Sequence, residues 1–152
     1  MSQDIFSRWD PWWWYRDVPS TTIAAIHDDW EGFRVILTAT NCPDTRVYVP
    51  RLVQYRVYDE IGLVGLDHRG IVAGHSFYKS NSSPLLSEAL RMNSASYGGT
   101  SVHYAIYTGD RCMDIISTEE PRFVLLREFA AGRYESERPD RTADKGNREA
   151  AD

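Results

Sequence analysis

His103, Asp114 and Tyr107 are the residues whose types and spacing could do chemistry. They lie in Ser101–Glu128, SVHYAIYTGDRCMDIISTEEPRFVLLRE, which reads as a β-hairpin followed by a further strand. Val102, Tyr104 and Ile106 alternate with His103, Ala105 and Tyr107, the period of a strand. Gly109-Asp110 supplies a two-residue turn, with glycine at the first central position, where a type II′ turn needs positive φ. Thr108 then faces Arg111. Pairing runs outward through Tyr107–Cys112, Ile106–Met113, Ala105–Asp114, Tyr104–Ile115 and His103–Ile116.

In that register Val102, Tyr104, Ile106, Met113 and Ile115 form one apolar face directed at a core. The opposite face carries His103 and Asp114 as diagonal neighbours, Cβ atoms about 7 Å apart. A carboxylate that orients an imidazole is the arrangement of a general base, with Tyr107 as a hydrogen-bond donor beside it. A slip of one residue sends the two side chains to opposite faces. The same pair also serves as a cross-strand contact, worth about 0.2–1 kcal/mol to a sheet.

The elements that position these residues are mostly strands. Phe33–Thr40 (FRVILTAT) and Arg46–Tyr58 (RVYVPRLVQYRVY) are rich in β-branched and aromatic residues, and Pro50 marks an edge, bulge or break within the second. Ile71–Tyr78 (IVAGHSFY) reads as another strand, with His75 among apolar neighbours and Gly74 at a bulge or close approach. Arg122–Phe129 is the last strand. Ser83-Pro84 has the pattern of an N-cap followed by a first helical residue. Leu85, Leu86, Ala89 and Leu90 keep helical spacing to about Met92, so one helix should cover one face of the sheet. These signals predict an α+β fold of six to eight mostly antiparallel strands that could curl into a half-open barrel, with one main helix over residues 84–92.

Length and composition predict one domain, residues 20–132, between two unlike ends. Residues 1–19 hold four of the five tryptophans, and this aromatic arm is expected either to pack across the sheet or to present Trp9, Trp12 and Trp13 to a ligand or partner. Residues 133–152 carry five basic and six acidic side chains with little apolar content, which predicts a disordered tail. That leaves 12 basic against 16 acidic residues in the body, residues 1–132. An acidic body argues against nucleic acid and is compatible with a basic protein partner. Self-association stays open. The start of the chain has no basic stretch followed by an apolar run, and no apolar stretch approaches the ~20 residues of a membrane span; the expected setting is the cytoplasm, with no membrane partner. Cys42 and Cys112 lack CxxC spacing.

No sequence motif for zinc, dinucleotide or phosphate binding is present, so neither metal nor cofactor is expected. His27, Asp28, Asp29 and Glu31 are too close in sequence to converge on one ion and read as a solvated turn. Two functions fit. The first is a small acidic binding module, such as an inhibitor or immunity-type protein, that docks a basic partner through Asp28, Asp29, Glu31, Asp59, Glu60, Glu119 and Glu120 together with the tryptophans. The second is a cofactor-free isomerase, dehydratase or cyclase with His103 as base, Asp114 as its orienter and Tyr107 as donor. The first is favoured, so catalysis is not the leading expectation.

Overall fold

In the computed structural model, residues 4–10, 21–40, 42–59, 69–72, 74–93, 100–128 and 134–136 are described. Chain order gives β1 (Ser7–Arg8), β2 (Thr22–Asp29), β3 (Gly32–Ala39), β4 (Cys42–Val49), β5 (Leu52–Asp59), β6 (Phe77–Ser80), α1 (Pro84–Asn93), β7 (Val102–Tyr107), β8 (Arg111–Ser117), β9 (Arg122–Glu128) and β10 (Tyr134–Ser136). Every strand pairing is antiparallel. The strands form two five-stranded sheets, β1-β6-β7-β8-β5 and β10-β9-β4-β3-β2. The fold is thus α+β and mostly antiparallel; the described residues hold more strands than the six to eight expected, and among them no barrel closes.

Pro50 explains why the chain forms two sheets. It cannot donate to a ladder, and the segment read as one long strand divides there: β4 ends at Val49 in one sheet and β5 begins at Leu52 at the edge of the other. The return crossing, Thr118–Pro121, lies against it. The Arg51 carbonyl accepts from the Ser117 hydroxyl at 2.9 Å and the Thr118 N–H at 3.2 Å. Both crossings are therefore pinned at one end of the molecule, and the β2–β3 turn joins them there, because Phe33 pairs with Val49 and Tyr48 with Arg122.

The inner faces of the sheets form the main core. Ile23, Phe33, Val35, Leu37, Val47 and Val49 pack against Phe77, Tyr104, Ile106, Met113 and Ile115. Trp9 enters the same core, its ring centroid 4.8 Å from Tyr104, 5.4 Å from Phe123 and 6.1 Å from Phe77. Each large side chain buried this way contributes about 1.5–3 kcal/mol of transfer free energy.

The outer face of the first sheet is covered as well. Leu86 and Ala89 of α1 pack on Ile116, and Phe6 packs with Tyr78, Ala105, Tyr107 and Cys112. As a result β7 and β8 are buried on both faces almost throughout. The helix starts as the sequence predicts: the Ser83 hydroxyl accepts the Leu86 N–H at 3.1 Å, an N-cap bond ahead of Pro84. The segment read as a strand over 71–78 yields a strand only from Phe77. Gly74 sits at φ +84°, which takes the backbone out of extended geometry.

Candidate functional site

The hairpin register is the predicted one, with His103 opposite Ile116, Ala105 opposite Asp114 and Tyr107 opposite Cys112. The diagonal pair meets directly: His103 Nε2 lies 2.8 Å from Asp114 Oδ1. The other ring nitrogen, Nδ1, lies 2.7 Å from Ser83 Oγ. Asp114 accepts from the Nε2–H, and in a neutral ring with that tautomer Nδ1 would accept the Ser83 hydroxyl. Ser83 in turn accepts the Leu86 N–H, so the network runs from a helix N-terminus into the sheet.

Asp114 is held from two further sides. Arg56 on the neighbouring β5 donates from Nε to Oδ2 at 2.5 Å, and the Tyr107 hydroxyl lies 3.4 Å from Oδ1. Burial opposes the carboxylate, but His103 and Arg56 outweigh it and hold the Asp114 carboxyl below its ordinary range. Burial, reinforced by the Asp114 charge, pushes the Tyr107 and Tyr58 phenols well above theirs. The Tyr58 hydroxyl is buried beside Tyr107 and Asp114. The Phe6 ring stands edge-on to His103 at 5.3 Å and closes the layer above it.

Three of these side chains form an acid–base–hydroxyl relay in connectivity, Asp114–His103–Ser83. Their environment is that of a core. The His103 side chain is 2% exposed and Asp114 1%, while Arg56, at 39%, reaches solvent. Both imidazole nitrogens are committed to protein partners.

The residues predicted to bind a partner separate into distinct places. Trp9 is 3% exposed, and its indole N–H donates to Oε1 of the exposed Glu120 at 2.8 Å, so the tryptophan is spoken for within the chain. Trp12, Trp13 and Glu60 lie outside the described residues. Glu119 pairs with Arg51 at 3.2 Å and Arg122 at 3.6 Å. Asp59 is exposed at the opposite end of the sheets, across from Arg111. Asp28, Asp29 and Glu31 border the β2–β3 turn, at the same end as Glu119 and Glu120.

That turn is built around Arg34. Its guanidinium donates to Asp29 Oδ2 at 2.8 Å and to Glu31 Oε2 at 2.9 Å, and Asp29 Oδ1 accepts the Glu31 N–H at 2.9 Å. The Glu31 N–H, and after it the Arg34 guanidinium, hold the Asp29 carboxyl below its usual range. Gly32 follows at φ +103°, and a Cβ there would approach the Tyr48 ring to 3.1 Å. The pinned turn carries Trp30 at its tip, 92% exposed.

Sequence reasoning missed Trp30, because four of the five tryptophans cluster in residues 1–19 and a single one at a turn forms no pattern. The available signal was a tryptophan between acidic residues at a glycine-closed turn, HDDWEG. Among the described residues no group of three or more His, Cys, Asp or Glu could hold a metal ion, and no helix is long and apolar enough to cross a membrane. No family model, curated protein or solved structure matches the chain.

Proposed function

We propose that the chain is a protein-binding module that docks a basic partner with the end of the sheets formed by the β2–β3 turn and the two crossings. The observation that carries this reading is Trp30, an aromatic side chain 92% exposed on a turn whose backbone is fixed by Arg34. Exposed large aromatics on ordered backbone are the usual anchors of interfaces, because they bury much area at small entropic cost. Residues 27–34 hold three carboxylates against one arginine. That balance favours a cationic partner and speeds its encounter more than it adds affinity. An inhibitor or immunity-type protein working in the cytoplasm fits this description.

Asp114, His103 and Ser83 support a second reading, a cofactor-free acid–base or acyl-transfer site. It is supported less well, because a substrate would have to displace Phe6 or α1 to reach the ring.

The test is affinity capture with the tagged chain from its native host, over a salt series. A stoichiometric basic protein, released as salt rises and lost with Asp28→Lys together with Trp30→Ala, supports the module. Capture of the same partner unaffected by both changes refutes it.

A further inference from the structure

Resting on that reading, we propose that the β2–β3 turn recognises an arginine guanidinium of its partner, stacked on the Trp30 indole and hydrogen-bonded to Asp28. The three carboxylates at the tip are not equivalent. Asp29 and Glu31 are both spent on Arg34, which locks the turn. Asp28 makes no ion pair or hydrogen bond among the described residues and is exposed. It precedes Trp30 by two residues, at the end of β2 beside the tip of the turn, so one long cationic side chain laid over the ring can reach its carboxylate.

A planar guanidinium suits this site better than an ammonium. It stacks flat on an indole face while its edge N–H groups remain free to donate to a carboxylate, whereas an ammonium is a compact, strongly hydrated point charge. The clamp leaves the indole presented in the free protein, so little ordering accompanies binding. Asp29, Glu31 and Arg34 are on this view positioning residues, and the cation meets Trp30 and Asp28.

The probe is a hexa-arginine peptide compared with hexa-lysine of equal charge. Titration is followed by the Trp30 indole N–H resonance, assigned with Trp30→Ala. The expected result is saturable binding of hexa-arginine that shifts that resonance, and about threefold or more weaker binding of hexa-lysine. Trp30→Ala leaves the net charge unchanged and should reduce hexa-arginine binding to the hexa-lysine level. Equal affinity for the two peptides, or hexa-arginine binding indifferent to Trp30→Ala, overturns the proposal. Either result leaves the broader reading standing if capture of a basic protein still depends on this end of the molecule. If Asp28→Asn alone has no effect while Trp30→Ala does, the assignment of Asp28 is overturned.

Discussion

His103 and Asp114 meet at 2.8 Å on the face of the first sheet that α1 and Phe6 cover, so the only close imidazole–carboxylate pair of the hairpin lies inside a second core. There the pair fills the hydrogen-bonding needs of a helix cap, two strands and an arginine.

Removing the carboxylate leaves the Nε2–H of His103 without its acceptor and Arg56 without its counter-ion. Breaking a buried pair from one side costs about 3–5 kcal/mol, and the partial exposure of Arg56 lets it rehydrate, which lowers the figure to about 2–4 kcal/mol. Asp114→Ala should show a loss of that size in urea denaturation. A change below about 1 kcal/mol would mean that the network does not support the fold.

The same carboxyl sets a pH dependence. Its folded pKa is depressed relative to the unfolded value of about 3.9, so the unfolded chain binds the proton first. The stability it provides is complete above that unfolded value and is lost as pH falls through the folded one. Wild type should therefore lose stability more steeply than Asp114→Asn below about pH 4. Parallel acid limbs for the two proteins would contradict this account.

The hairpin register was legible because a two-residue turn and strict alternation leave one pairing that keeps Ile106 and Met113 on the same face. The N-cap at Ser83 and the break at Pro50 were legible for a similar reason, since each is a local backbone rule. What covers a face is a long-range matter. Nothing local says that Phe6, nearly a hundred residues away in sequence, packs on His103, or that α1 covers that face. The near-continuous burial of β8, from Cys112 to Ser117, explains the ambiguity, because a strand buried on both sides loses the contrast that alternation needs. The two sheets escaped sequence reading because Pro50 marks a break without saying where the chain goes next.

Trp9 gives a sharper contrast between arm and interface. Its ring sits among Phe77, Tyr104 and Phe123, and its N–H is held by Glu120. Trp9→Ala should cost about 3–5 kcal/mol, and Trp9→Phe distinctly less, since Phe restores most of the volume but not the hydrogen bond. Burial and the charge of Glu120 push the Tyr104 phenol up to about 12, so an alkaline titration of Glu120→Gln should ionise Tyr104 earlier than wild type. An unmoved Tyr104 transition would place Glu120 away from the ring.

Ser83 joins the helix to the histidine through one hydroxyl. Ser83→Ala removes the cap of α1 and the donor to Nδ1 together, which predicts a loss of about 1–3 kcal/mol by thermal or urea unfolding. Ser83→Asp keeps a capping oxygen but places a second carboxylate beside the imidazole, and the burial there makes it the worse replacement. If Asp proves as stable as Ser, His103 is protonated in the folded protein, a state that one-bond nitrogen couplings of the ring would report.

Arg34 separates the two ways in which the β2–β3 turn could favour a basic partner. If negative charge alone governs docking, Arg34→Ala should strengthen it, because Asp29 and Glu31 are released from the cation that pairs with both. If docking depends on how Trp30 is held, the same change should weaken it, because the turn loses both clamps. Arg34 is largely buried while its partners are about half exposed, so the loss of stability should be modest, about 1 kcal/mol. Trp30→Ala, at a site 92% exposed, should stay within about 0.5 kcal/mol of wild type. Weaker docking in both variants, with the fold intact by circular dichroism, would make presentation of the indole the governing term. Tighter docking of Arg34→Ala would assign recognition to charge and remove the clamp from the mechanism.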